Sequence, residues 1–158
     1  VDVCGSTTLN ESMGDEGWAR ERDRLRTMCG ERFGAEGGVE VSAAGDGFLA
    51  RFEHPAAAVR SAIAIQRTLA AWRAEGFAPS VRIGIHSGDV IDEGDDIIGS
   101  VINLAARVND AAAVDEILVT EHVADHVDDI EVVDRGLHEL KGLRQARHLV
   151  AITWRAEG

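Results

Sequence analysis

An α+β fold is predicted by two features of the chain: short apolar strands alternate with amphipathic helices, and a β-hairpin lies between two of those helices. Residues 1–4 read as the end of a buried strand already under way, and Gly5-Ser6-Thr7 as a turn whose hydroxyls suit helix capping. Trp18, Leu25, Met28 and Phe33 then recur at near-helical spacing up to Gly34, and Gly37-Gly38 closes the unit. Residues 39–41 alternate as a strand, Gly45-Asp46-Gly47 signals a turn, and 48–52 alternate again, so a hairpin carries an aspartate at its tip. After Pro55, Val59, Ile63, Leu69 and Trp72 mark an amphipathic helix over 56–75. A strand over 81–90, broken at Gly84 and Gly88, leads to an acidic loop at 92–96, and 102–113 suit a second core-facing helix. A buried strand at 117–120, a short helix at 121–126 and closing strands around 132–133 and 148–152 complete the chain. The order β-α-β-β-α-β-α-β specifies a ferredoxin-like split βαβ core, a mostly antiparallel mixed sheet and flanking helices.

Composition sets the outer limits. The 158 residues are enough for one domain with its own core, and neither a repeat nor a linker divides 1–158. With 45% hydrophobic and 28% charged residues, the chain reads as an ordinary globular domain. A formal charge of −12 excludes a non-specific nucleic-acid binder, which needs clustered Lys and Arg against phosphates. A nucleotide bound here therefore requires divalent metal or a few well-placed arginines. Cys4 and Cys29 fit no metal or CxxC spacing, and no apolar run reaches the roughly 20 residues of a membrane span. A soluble cytoplasmic domain is expected.

Two aspartates stand beside glycines at strand ends: Asp2 before Gly5-Ser6-Thr7, and Asp46 between Gly45 and Gly47. Adjacent antiparallel strands could bring them together, and a carboxylate pair with phosphate oxygens is what Mg²⁺ favours. Gly-Asp-Gly is also a common turn, so on spacing alone Asp46 is open to either reading. Asn103 and Arg107 are four apart and project from one face of a helix. His54, His86, His122, His126, His138 and His148 share no ligand motif.

As an ordered set, these segments resemble the class III adenylyl and guanylyl cyclase catalytic (cyclase homology) domain. The segments are Val1-Asp2-Val3-Cys4-Gly5-Ser6-Thr7, Ala44-Gly45-Asp46-Gly47-Phe48-Leu49-Ala50, Val81-Arg82-Ile83-Gly84-Ile85-His86-Ser87-Gly88 and Gly99-Ser100-Val101-Ile102-Asn103-Leu104-Ala105-Ala106-Arg107, followed by Leu140-Lys141-Gly142. The resemblance covers nearly the whole chain, and its Ala, Gly and Arg bias looks like that of bacterial, especially actinobacterial, members.

The resemblance implies an adenylate cyclase that converts ATP to 3′,5′-cyclic AMP and pyrophosphate with two Mg²⁺ or Mn²⁺ ions per site. It matches Asp2 and Asp46 to the metal-binding aspartates and the Val3 carbonyl to a backbone ligand. Gly5, Ser6 and Thr7 would lay N–H groups against the triphosphate, as helix N-termini do for anions, and Arg82 would contact phosphate. Asn103 would place the ribose and Arg107 would stabilise charge on the α-phosphate, both from the other subunit of a head-to-tail homodimer. Asp96 matches the acidic residue that reads the adenine amino group. Its usual lysine partner is replaced by Ser42, a short uncharged donor. A second departure is Leu143, which stands where the family often has a phosphate-binding lysine, leaving Lys141 or Arg144 to reach the triphosphate. Fused regulatory domains outside the chain are implied too. The alternatives are a degenerate cyclase-homology domain acting as a nucleotide-binding or dimerisation module, and a polymerase-palm-like domain; the latter has no need of an arginine at the Arg107 position.

Overall fold

The computed structural model describes residues 1–41, 47–88 and 95–156, with 95–98 described by backbone alone. Strand β1 (Asp2–Val3) leads into α1 (Ser6–Ala35), which bends at Gly14, where φ 76° and ψ 164° interrupt the helical path. Only glycine adopts that conformation without steric cost, so the bend is written into position 14. The helix closes through Gly37, whose φ of +75° lets Gly37 N donate to Gly34 O at 3.1 Å and Gly38 N to Phe33 O at 2.8 Å. Next come β2 (Val39–Val41), β3 (Leu49–Arg51) and α2 (Pro55–Glu75), with Pro55 in the first helical turn. The remaining elements are β4 (Val81–Ile85), α3 (Asp95–Ala111), β5 (Ile117–Thr120), α4 (Glu121–Ala124), β6 (Val132–His138) and β7 (Arg147–Ile152).

The sheet runs β1-β4-β5-β7-β6; β4 and β5 pair in parallel, whereas β1–β4, β5–β7 and β6–β7 are antiparallel. Strands β2 and β3 form their own antiparallel pair, Val41 opposite Leu49. Two backbone hydrogen bonds link the two sheets: Val1 N donates to Phe48 O at 2.9 Å and Phe48 N donates to Val1 O at 2.8 Å. Reciprocal bonds between one residue pair are the antiparallel pattern, so β3 lies along β1 and the spatial order β2-β3-β1-β4 is the expected split βαβ core.

The sheet is covered on both faces. Ile117 and Val119 of β5 join Val81, Ile83, Val150 and Ile152 in a cluster with Leu25, Met28 and Phe33 of α1 and Val59, Ile65 and Leu69 of α2. Leu118 of the same strand points the other way, packing with Leu149, Ala151 and Leu140 against Leu104, Val108 and Ala112 on the α3 side. All four residues of β5 are buried, as a strand between two helical layers requires. Fully burying one such side chain stabilises by about 1.5–3 kcal/mol. Helix α3 can lie close on β4 because position 84 is glycine: a Cβ there would collide with the Asn109 backbone. The Asn109 side chain accepts from Gly84 N at 3.0 Å.

The structure moves several predicted boundaries. Strand β4 stops at Ile85, where its pairing with Val119 ends, rather than reaching residue 90. Helix α3 begins at Asp95, so part of the predicted acidic loop is helical, and acidic residues there suit the positive end of the helix dipole. Helix α4 ends at Ala124, β3 spans only Leu49–Arg51, and β6 runs on to His138 through an irregularity between Asp134 and Leu137. The hydroxyl capping predicted for α1 is absent. Gly5 is the N-cap, at φ 68°, and no side chain caps the helix.

Candidate functional site

The β1–β4 ladder places Asp2 opposite Arg82. Arg82 Nη2 donates to Asp2 Oδ2 at 3.1 Å, and both side chains remain about one-third exposed, at 35% for Asp2 and 32% for Arg82. Arg82 thus forms an ion pair whose partner is the first candidate metal aspartate. The other carboxylate oxygen of Asp2 faces the hairpin. A Cβ at Gly47 would stand 3.3 Å from Asp2 Oδ1 and 3.3 Å from the Val1 carbonyl oxygen, so glycine there keeps the space over the carboxylate open. Val3 is buried, and its backbone lies on the same short strand.

Immediately after β1, Cys4 N donates to Ser80 O at 2.9 Å, and Gly5 turns the chain into α1. With Gly5 as N-cap and no side-chain cap, the first-turn N–H groups at Ser6 and Thr7 have no capping acceptor. Ser6 and Thr7 line an open pocket of about 340 Å³ together with Asn10, Trp18 and Arg22. The bend at Gly14 lies along the same stretch of α1.

On α3, Leu104 and Val108 face the sheet while Asn103 is exposed and Arg107 is 40% exposed. This is the shared outward face predicted from their spacing. Arg107 Nη1 lies 3.5 Å from Asp110 Oδ2, and the same Asp110 reaches Arg82: its carbonyl oxygen accepts from Arg82 Nη1 at 3.3 Å, and its Oδ1 is 3.8 Å from Arg82 Nη2. Sequence reasoning missed Asp110, although its place three residues after Arg107 was a usable signal. It missed Gly47 and Asn109 as well, since both act through a close approach that only the fold reveals.

Not every predicted residue is brought to this place. Lys141 is exposed beside the buried Leu140, in the connection between β6 and β7, strands that stand four and three places from β1 in the sheet. Asp46 and Ser42 lie outside the described residues, and Asp96 falls in the first turn of α3, described by its backbone. Cys29 is buried and its thiol is pushed up to about 12, chiefly by that burial, which leaves no thiolate for nucleophilic chemistry.

These features coincide with a known sequence family. Residues 22–153 match the adenylate and guanylate cyclase catalytic domain. The chain is 28% identical over 127 residues to an adenylate cyclase of Streptomyces coelicolor, covering 80% of this chain and 32% of that protein. It is 29% identical over 112 residues to an adenylate cyclase of Glutamicibacter nicotianae, covering 71% and 27%. The chain thus spans less than a third of the length of these curated relatives. Among solved structures, the adenylyl cyclase CyaB from P. aeruginosa superposes with a TM-score of 0.83 at 24% identity, covering 96% of this chain and 90% of that one. The adenylate/guanylate cyclase/hydrolase from Silicibacter pomeroyi gives 0.77 at 28% identity, covering 96% and 91%. The chain belongs to the adenylate and guanylate cyclase catalytic-domain family.

Proposed function

We propose that this domain is an adenylate cyclase that closes ATP to 3′,5′-cyclic AMP and releases pyrophosphate at two sites shared across a head-to-tail homodimer. The observation that carries the reading is the Asp2 carboxylate, held at the end of β1 with the space toward Gly47 open and the N-terminus of α1 beginning three residues later. Its relatives' names supply the reaction class.

The residues fit a divalent metal. Asp2 offers a carboxylate oxygen on the side that a Cβ at Gly47 would fill, and Asp46 is the chain neighbour of that glycine. Asp2, Asp46 and the Val3 carbonyl are the proposed ligands. Bound Mg²⁺ or Mn²⁺ would supply an activated ribose 3′-oxygen and neutralise charge on the phosphates.

The chain's own groups do the rest. First-turn N–H groups at Ser6 and Thr7 and the Arg82 guanidinium bind the triphosphate oxygens. The ribose 3′-oxygen bonds to the α-phosphorus as the bond to the bridging oxygen breaks. Pyrophosphate leaves with that electron pair, and the 3′-hydroxyl proton passes to solvent. Asn103 orients the ribose and Arg107 offsets charge on the α-phosphate, both from the partner subunit. Their outward face on α3 supports a role across an interface. Asp96 reads the adenine amino group with Ser42 as the donor. Longer relatives are consistent with regulatory domains fused beyond this chain.

The test is direct: purified protein is incubated with ATP or GTP and Mg²⁺ or Mn²⁺, and nucleotide products and pyrophosphate are separated and quantified. Cyclic AMP with stoichiometric pyrophosphate is expected. A folded dimer that yields no cyclic nucleotide under any of the four conditions would overturn the reading.

A further inference from the structure

His122 lies in α4 and His126 in the turn that ends it, four residues further along the chain. Both side chains are exposed, whereas Val123 between them is fully buried and anchors the turn. The helical path continues past Ala124, since Asp125 N donates to Glu121 O at 2.9 Å and His126 N to Val123 O at 3.1 Å. The two imidazoles therefore leave from one face, with ring centroids 4.7 Å apart and planes inclined at 61°. His126 Nδ1 lies 2.8 Å from the His122 carbonyl oxygen. A carbonyl only accepts, so Nδ1 carries the hydrogen, and the lone pair of the neutral ring is on Nε2. We propose that His122 and His126 form a chelating site for an imidazole-seeking divalent cation of the Zn²⁺, Ni²⁺ and Cu²⁺ series, separate from the carboxylate site assigned to Mg²⁺ or Mn²⁺.

The spacing carries the proposal. A metal–nitrogen bond of about 2.0–2.1 Å puts each ring centre about 3.2 Å from the ion, so two imidazoles at angles between square and tetrahedral have centres about 4.5–5.2 Å apart. The observed 4.7 Å falls in that range. A second feature is orientation: a ligating histidine commonly gives its other N–H to a carbonyl, which fixes the tautomer, and His126 already does so. His122 is exposed and needs only side-chain rotation to turn a nitrogen toward the same ion. Histidines four apart on one helical turn are also the spacing that brings two imidazoles to one Zn²⁺. Among the described residues no group of three or more His, Cys, Asp or Glu could hold a metal, so the two rings are the protein ligands and water completes the shell. Asp125, Asp128 and Asp129 are exposed in the same segment and make a cation the favoured visitor. The other histidines are differently placed. His148 has Nε2 2.6 Å from Asp134 Oδ1 and Nδ1 3.2 Å from Glu121 Oε1, His86 has Nδ1 3.1 Å from Thr120 Oγ1, and His138 has Nε2 2.8 Å from Arg135 O.

The experiment titrates untagged protein with Zn²⁺ by calorimetry, in a buffer that does not bind the ion and with millimolar Mg²⁺ present. Mg²⁺ prefers oxygen ligands, so it covers the carboxylates and leaves the imidazoles free. One Zn²⁺ per chain is expected to bind, and His122→Gln and His126→Gln should each weaken it by about tenfold or more, the scale on which even a supporting partner of a metal ligand matters. His148→Gln should bind as wild type does. A second measurement needs no variant: substoichiometric Cu²⁺ should selectively broaden the amide resonances of residues 121–127 in the wild type. Absence of Zn²⁺ binding by folded wild type, an unchanged affinity in either glutamine variant, or broadening centred elsewhere would each overturn the proposal. So would an equal loss in His148→Gln, which would move the site to the other end of α4. Cyclase activity is not the readout, so the result stands whichever nucleotide the domain uses.

Discussion

Asp2 and Arg82 face each other across neighbouring antiparallel strands, joined by a 3.1 Å bond from Arg82 Nη2 to Asp2 Oδ2. The β1–β4 register thus sets the proposed metal carboxylate and the proposed phosphate-binding guanidinium side by side. This relationship separates stability from binding. An ion pair exposed to this degree contributes at most about 1 kcal/mol after screening. Arg82→Gln should therefore leave the melting temperature nearly unchanged and raise KM for ATP about tenfold or more, the scale of a lost charged hydrogen bond. An unchanged KM in steady-state kinetics would place Arg82 outside the phosphate site.

The shared site can be tested by subunit mixing. Asp46→Ala and Arg107→Ala should each be inactive as folded dimers, because one lacks a metal carboxylate and the other the arginine given to the partner. Mixed and exchanged, about half the dimers are heterodimers with one intact site each, so recovery should approach about a quarter of wild-type activity. No recovery despite proven exchange would mean that Arg107 acts in its own chain, on the side where Asp110 already links it to Arg82.

Glycine positions give opposite signs. Gly84→Ala drives a methyl into the Asn109 backbone and should destabilise by about 1–3 kcal/mol, lifting α3 and with it Asn103 and Arg107. Gly30→Ala, inside α1 where nothing lies within 4 Å of the added carbon, should stabilise by about 0.5–1 kcal/mol. Thermal or denaturant unfolding of both variants is the measurement, with activity lost in the first and kept in the second. Equal effects would contradict the close packing of β4 on α3.

Acid sensitivity should carry a signature of His86. Burial, then the Arg147 charge and His122, push His86 down from 6.5 to about 4, and its Nδ1 lies 3.1 Å from Thr120 Oγ1. The unfolded chain takes up a proton at this residue below about pH 6.5 and the folded chain does not until about pH 4, so stability falls as pH drops through that window. His148 works in the opposite sense: hydrogen bonds to Asp134 and Glu121 raise it, giving stability that is present at low pH and lost as pH rises through the folded value. His86→Gln should flatten the decline between pH 6.5 and 4 in urea titrations. A decline identical to wild type would mean that His86 takes up its proton in the folded state.

How much of this was legible beforehand depended on the kind of signal. Strand β5 is legible with its final bounds because three consecutive branched apolar residues and the β-branched Thr120 form a short run that suits a buried strand. The helices were found from Leu25, Phe33, Val59 and Leu69, which face the core. The start of α3 was not, because Asp95 and Asp96 look like a solvated loop until a helix dipole is supplied. The site was legible as an ordered set of motifs, and Asp2 and Arg82 do meet. What stayed hidden was anything dependent on pairing register or close approach. Gly47 over Asp2, Gly84 under Asn109 and Asp110 between two arginines each become meaningful only when distant segments touch.

The final prediction concerns the base. Ser42→Lys should raise the preference for ATP over GTP and raise activity, because the variant restores the donor that usually accompanies an acidic residue at position 96. Adenine presents an acceptor at N1 and a donor amino group, whereas guanine presents a donor at N1 and an acceptor at O6. A donor at 42 paired with the acceptor Asp96 therefore reads adenine. Serine can donate or accept and discriminates little, while lysine can only donate. A charge-assisted hydrogen bond contributes about 1.5–3 kcal/mol where a neutral one contributes about 1, so the gain in discrimination should be about tenfold. The opposing factor is room, since the lysine side chain reaches about three heavy-atom bonds beyond serine, and a crowded side chain would raise KM for both nucleotides alike. Measuring kcat/KM for ATP and GTP in wild type and variant separates the cases: a shifted ratio confirms the pairing, and an unchanged ratio with nucleotide binding intact shows that position 42 does not face the base.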